Sequence, residues 1–348
     1  MHNLNIWLKL SYSPMTIYEF NQIKSSETFA PDIFEALKTT KIYIIAKRKL
    51  PIMEFAEPFS PNKVTIKVKN EDEDNYLRFS FSKKYNKDLF GEGITRIKLG
   101  SNLQRCKDWY AGGFTPRNDK FPFQAITFYK GNGEFFINAN FDRFWYLHSN
   151  NSIKLSDFEG NIEPFITYEV LYVGKCDNEH IFYRFKHHHA LQDLLIKEKI
   201  IPKDYDKAND LMILPFYVEN EVITLLNDES FKKELMNSLI GQFPFSNQNI
   251  ILDAEKALVN ALSPKYNKVK FKSYPKSKDG LYNKKLSLIN YSIREDIILR
   301  YGENYIRGDV KGLNLTVLSL DGNDFQIVDN IQYIDILKMK ICSDFKDV

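Results

Sequence analysis

Alternation of apolar and polar residues makes the first part of the chain strand-rich. Val64-Thr65-Ile66-Lys67-Val68 and Leu77-Arg78-Phe79-Ser80-Phe81 both repeat with period two, as half-buried strands do. Residues 124–129 and 134–138 flank Lys130-Gly131-Asn132-Gly133, which predicts a hairpin. After Pro31 the pattern becomes helical over Asp32 to Thr39. Trp109-Tyr110-Ala111-Gly112-Gly113-Phe114 reads as an aromatic-packed turn, with a binding loop as the alternative.

The middle of the chain predicts strands over 166–173 and 181–185, then a helix from His188 to about Ile200 that Pro202 closes. A buried strand follows over 211–218, then helices over 229–242 and 249–263, the second stopped by Pro264. The tail from about 284 is again strand-rich. Residues 313–320 and 325–328 form a hairpin around Asp321-Gly322.

On a helical wheel of 249–263, Asn249, Asp253, Lys256, Asn260 and Ser263 share one polar arc. Glu255 falls in the apolar arc, between Leu262 and Val259. A carboxylate aimed inward costs several kcal/mol unless it is paired or metal-bound. A structural ion pair, for instance to Arg184, and a metal ligand are equally good accounts of it.

Length adds that 348 residues exceed one typical domain. Composition, with 43% hydrophobic and 27% charged residues, supports a packed core over most of the chain. The net charge of +3 excludes a polybasic protein, so any nucleic-acid surface must be local. Cys106, Cys176 and Cys342 lie far apart, which excludes a Cys-x-x-Cys zinc site and fits a reducing, cytoplasmic setting. No leader pattern or apolar run of about 18 residues stands in the chain, so no membrane segment is expected.

Candidate chemistry follows the middle segment. Tyr172-Val173-Gly174-Lys175 ends a strand with a phenol and a glycine, suited to close approach of a phosphate, although a packed tyrosine explains it as well. Arg184 and His188 stand one helical turn apart. A guanidinium neutralises charge on a transferring phosphate and a histidine moves protons near neutrality. The bland alternative is a surface arginine before the cluster His187-His188-His189. Pro264-Lys265-Tyr266-Asn267 reads as a helix-ending turn whose Asn267 bonds backbone or phosphate. Lys268, Lys270 and Lys272 alternate with Val269 and Phe271, which predicts a strand with ammonium groups on one face. A solvated face explains the same pattern.

Residues 166–272 together resemble the GIY-YIG nuclease family. Tyr172-Val173-Gly174-Lys175 is similar to its second motif, and Arg184 through His188 to its Arg-x-x-x-His. Glu255 through Asn267 is similar to its Glu-x-x-Leu-Ile-x-x-x-x-Pro-x-Tyr-Asn, most of all to the bacterial excision-repair incision subunit. The opening Gly-Ile-Tyr is not visible about ten residues before Tyr172. Tyr168, on the same strand four residues earlier, and Tyr146 are the candidates to replace its phenol.

The resemblance implies an α+β fold: a central three-stranded antiparallel sheet flanked by helices, with strand-rich N-terminal and C-terminal parts. The expected divisions are 1–155, a recognition or accessory domain, 156–275, the nuclease module with an insertion around 203–245, and 276–348, a small strand-rich part. It further implies a metal-dependent endonuclease acting on nucleic acid, with DNA the expected substrate, of a restriction or anti-phage defence kind. Glu255 would bind Mg²⁺ or Mn²⁺, with Tyr172, Tyr168, Arg184 and His188 catalytic. Lys175, Asn267, Lys268 and Lys270 would hold the substrate. A homo-oligomer or a defence-system partner protein fits that plan. The rival reading is a catalytically degenerate module that binds nucleic acid or protein.

Overall fold

A computed structural model of the chain describes residues 2–25, 31–49, 51–58, 60–70, 75–91, 94–100, 122–130, 133, 135–176, 180–187, 194, 197–198, 209–224, 245–277, 279–284 and 286–332. Among these, β1 (His2–Leu10) and the two-residue β2 (Met15–Thr16) lead into helices α1 (Ile17–Ser25) and α2 (Pro31–Lys38), then β3 (Ile42–Lys49). Next come β4 (Ile52–Phe55), β5 (Lys63–Lys69), β6 (Tyr76–Ser82), α3 (Lys87–Phe90), β7 (Ile94–Gly100), β8 (Ala125–Lys130) and β9 (Phe135–Asn140). Then follow α4 (Phe141–Ser149), β10 (Leu155–Gly160), α5 (Glu163–Ile166), β11 (Thr167–Lys175), α6 (Ile181–His187) and β12 (Asn209–Thr224). The last elements among the described residues are α7 (Asn247–Leu262), β13 (Leu286–Ile293), β14 (Ile298–Tyr301), β15 (Asn304–Arg307), β16 (Leu315–Asp321) and β17 (Asp324–Ile331).

One large mixed sheet runs β15-β14-β11-β3-β12-β1-β13-β16-β17, with β2 added on β12. β1 pairs β13 in parallel and β11 pairs β14 in parallel, whereas the other neighbours are antiparallel. The sheet curls until its ends meet: Arg307 donates its backbone N–H to Thr316 Oγ1 at 3.0 Å, and the Tyr305 hydroxyl donates to Asp329 at 2.9 Å. The expected small three-stranded sheet flanked by helices is therefore overturned. The strands that carry the expected site, β11, β3 and β12, are antiparallel neighbours inside a near-barrel of nine strands. The physical reason is β1, which places Leu4, Ile6, Leu8 and Leu10 in the core and extends the sheet beyond β12 toward the tail.

β3 is apolar on both faces because both are covered. Ile42, Ile44 and Ala46 pack in the core that includes α7, and Tyr43 and Ile45 in the core beneath α1, α2 and α6. Residues 50–166 interrupt the path from β3 to β11. They form a four-stranded sheet (β10-β6-β5-β4) and a three-stranded sheet (β7-β8-β9) around a phenylalanine-rich core of their own. The large sheet takes strands from each of 1–155, 156–275 and 276–348, so boundaries at 155 and 275 do not divide it.

Local patterns also depart from expectation. Residues 181–187 are a helix rather than a strand, with Ile181, Phe182 and Phe185 buried on one helical face. A short apolar run carries no decisive period. Lys268 to Lys272 is irregular, with a bend at Lys268 and a turn starting at Lys272, rather than a strand. On α7, Ser246 caps the N-terminus through a reciprocal bond with Asn249, and Ser263 closes the other end in the left-handed conformation. Its supposed polar arc is covered: Asp253 is 0% exposed and accepts hydrogen bonds from Tyr274 (2.7 Å), the Leu281 N–H (2.9 Å) and Tyr291. Glu255, expected inside, is partly exposed. Residues 273–277 and 279–281 fold over α7, and a single-helix wheel contains no information on such a cover. The helix expected at 229–242, the loop 109–114, and Cys106 and Cys342 lie outside the described residues.

Candidate functional site

The site is built on the β3–β11 pair. Gly174 stands opposite Tyr43 in the antiparallel register, and Val173 opposite Ile44. A Cβ on Gly174 would lie 2.6 Å from the Tyr43 hydroxyl and 2.7 Å from the Tyr172 ring. Glycine is required there because both phenols occupy the space a side chain would take. The Tyr43 and Tyr172 rings are 6.0 Å apart and tilted by 33°.

A β-bulge decides which tyrosine joins them. The register shifts between Val170, opposite Ala46, and Tyr172, opposite Ile45, leaving Leu171 as the extra residue. Period two would place Tyr168 and Tyr172 on one face. With the bulge, Tyr168 packs in the α7 core and Tyr172 in the core under α6. Tyr168 is instead buried in a closed cluster at the far end of β3. Its hydroxyl donates to Asp142 at 2.6 Å, and Arg48 forms a two-pronged ion pair with Asp142 at 2.7 and 2.5 Å. Tyr146 lies on α4, beside Arg143, whose guanidinium sits 5.6 Å from its ring.

Arg184 and Glu255 complete the open end. α6 brings Arg184 to hydrogen-bond Tyr43, and the Tyr43 and Tyr172 hydroxyls share a hydrogen bond. Burial pushes the Tyr43 phenol far up, opposed by the Arg184 charge. Burial also pushes Tyr172 up, and the Glu255 carboxylate adds to the rise. Arg184 of α6 therefore acts on both phenols, from β3 and β11, and Glu255 of α7 acts on Tyr172. Tyr43 is 1% exposed, whereas Tyr172, Arg184 and Glu255 are partly exposed, so the cluster is open on the Tyr172 side.

The expected substrate contacts divide. Asn267 is buried and bonds Val173 twice, donating Nδ2 to its carbonyl at 2.7 Å and accepting its N–H at 2.9 Å. It substitutes for a missing strand neighbour and holds the Tyr172-Val173-Gly174 segment in place. Tyr266 adds a backbone bond to Leu171 at 3.0 Å. Lys270 donates to the Ser263 carbonyl at 3.3 Å and to that of Pro264, closing the C-terminus of α7. Lys268 is exposed and Lys175 partly exposed at the strand end. His188 lies outside the described residues.

Tyr43 was missed. Lys41-Ile42-Tyr43 carries the last two letters of Gly-Ile-Tyr, and a search over the whole chain for that pair before an apolar run would have found it. The inserted residues 50–166 put it far outside a ten-residue window.

Among the described residues no group of three or more His, Cys, Asp or Glu side chains is placed to hold a metal ion. A hard cation at this end would rest on Glu255 with water and substrate oxygens, a donor set that suits Mg²⁺. No helix among the described residues is long and apolar enough to cross a membrane. Comparison with protein-family models, curated proteins and solved structures returns no match.

Proposed function

We propose that the chain is a metal-dependent endonuclease that hydrolyses phosphodiester bonds in nucleic acid, with DNA as substrate and a cytoplasmic, defence-type role. The observation that supports this reading is the meeting of Tyr43, Tyr172, Arg184 and Glu255 at one end of the β3–β11 pair. Three of those residues belong to motifs that resemble the GIY-YIG nucleases, and Tyr43 supplies a second phenol.

In this reading Glu255 would hold Mg²⁺ or Mn²⁺, and such an ion would supply charge stabilisation for the departing oxygen. Arg184 neutralises the phosphate as negative charge builds on it. Both phenols are pushed upward, so at neutral pH they are protonated donors. Tyr172 therefore orients water or a phosphate oxygen by hydrogen bonding and does not abstract the proton itself. Tyr43 holds Tyr172 and Arg184 in register. Asn267 positions the strand rather than the substrate.

A second reading, a non-cutting module that binds nucleic acid or protein, is favoured by the burial of Tyr43. Plasmid cleavage in Mg²⁺ or Mn²⁺ separates the two. The nuclease reading expects wild-type cleavage, and a loss of about 10²–10³-fold or more in Glu255→Gln with unchanged melting. Absence of cleavage by wild type, with salt-dependent binding retained, establishes the second reading.

A further inference from the structure

A cleft of about 510 Å³ lies where the inserted residues 50–166 meet the start of the chain. One wall comes from the β1–α1 connection and from α1 and α2, the other from β8, β9 and the first turn of α4. Asp142, which pairs with Arg48 at the end of β3, acts on Glu19 of this cleft. The volume is in the range of small-molecule sites, which favour such junctions between structural units.

The walls are apolar and aromatic, with Tyr12, Met15, Phe136 and Ile137 among them. The polar groups are joined at one end. Glu19 Oε2 accepts from the Thr16 N–H at 2.8 Å and the Thr16 hydroxyl at 3.1 Å. Glu19 Oε1 accepts from Asn140 Nδ2 at 3.0 Å, which leaves that oxygen a second lone pair. The Arg143 guanidinium is stacked 4.3 Å from the Tyr12 ring, fixing an extended flat surface beside this edge. Asn138 at the exposed rim adds a donor and an acceptor. Burial raises the Glu19 carboxyl and nearby Asp142 adds to the rise, while the hydrogen bonds from Thr16 and Asn140 oppose it.

We propose that this cleft receives a single unstacked nucleobase, its faces against the aromatic walls and its hydrogen-bonding edge on Glu19 and Asn138. Flat apolar faces with a short donor–acceptor edge are the chemistry that such walls select. A carboxylate accepts from an exocyclic amine, and a carboxamide reads a donor–acceptor pair. The base belongs either to a nucleic-acid strand or to a free nucleotide, and the inference rests on the nuclease reading only for the first source.

The test is photochemical crosslinking in EDTA, where metal-dependent cutting is stopped. Wild type is irradiated with an oligonucleotide carrying 5-iodouracil at one position, and separately with 5-iodouridine monophosphate, and the crosslinked peptides are mapped. Crosslinks at Tyr12 or Phe136 are expected. Asn138→Trp, which occludes the rim at an exposed position, reduces them severalfold. Glu19→Gln, which keeps the side chain's shape, changes which unlabelled nucleotides compete. Crosslinking by the oligonucleotide identifies a strand as the source, and crosslinking by the nucleotide alone identifies a diffusible ligand. Crosslinks only elsewhere, or crosslinks unchanged in both variants, overturn the proposal. Cleavage in Mg²⁺ without a cleft crosslink removes the cleft alone, and a cleft crosslink without cleavage removes the nuclease reading alone.

Discussion

The two ends of the β3–β11 pair carry the same chemical types and put them to different use. At one end Tyr168, Arg48 and Asp142 combine a phenol, a guanidinium and a carboxylate. At the other, Tyr43 and Tyr172, Arg184 and Glu255 do the same. At the first end Arg48 and Asp142 are each 5% exposed, the ion pair is two-pronged, and the Phe165 carbonyl accepts a further bond from Arg48 at 2.8 Å. That cluster clamps the inserted residues to the large sheet through α4. At the second end three of the four side chains reach solvent. Residue type therefore does not mark the candidate site. Exposure and the presence of an approach path mark it.

The largest expected effect breaks the closed end. Asp142→Ala leaves the Arg48 guanidinium buried without its counter-ion and costs about 3–5 kcal/mol in urea unfolding. Glu255→Gln at the open end leaves the urea midpoint close to wild type. Equal losses from the two substitutions would end the distinction.

Next comes pH. Glu295 lines a small cavity with Asp142 and Tyr168, and burial pushes its carboxyl up to about 7 from 4.5, while the Leu10 N–H opposes the rise. The folded state holds this proton longer than the unfolded chain, so stability is greatest below about 4.5 and falls as pH rises through 7. The loss is about 3 kcal/mol across that window. Glu295→Gln flattens this part of the profile measured by urea denaturation. A wild-type stability that rises from pH 5 to 7, with no difference in the variant, contradicts the assignment.

Smaller effects sharpen the open end. Asn267→Ala leaves the Val173 N–H and C=O without their side-chain partner and costs about 1–3 kcal/mol. It also lowers cleavage through the displaced strand, so a second-site stabilising mutation restores part of the activity. Asn267 as a direct substrate contact predicts no such rescue. Gly174→Ala moves one or both phenols with a stability change of about 1 kcal/mol. Cleavage in this variant drops at least as far as in Tyr172→Phe. Unchanged cleavage would show that the phenols are not part of the reaction.

Much of the local structure was legible because its period is local. β5, β6, the β8–β9 hairpin, α2, α7 and the β16–β17 hairpin were readable from alternation, helical spacing, Pro264 and Asp321-Gly322. Tyr172, Arg184 and Glu255 were legible as a set from motif spacing. β1 was not anticipated, although Leu4, Ile6, Leu8 and Leu10 alternate with Asn5, Trp7 and Lys9. Residues 181–185, expected as a strand, lie in α6 because so short a segment with three aromatic residues fits either period.

By itself the sequence determined the elements whose signal is complete within a dozen residues, together with the chemical types available for a site. Tertiary structure alone decided which of those residues meet. An extra residue at Leu171 turned Tyr168 away from Tyr172, and a fold-back around residues 50–166 brought Tyr43 beside Gly174. The loop over α7 buried Asp253 and left Glu255 partly open. Register, insertion and cover are long-range properties, set by the packing of the whole sheet, and no local period encodes them.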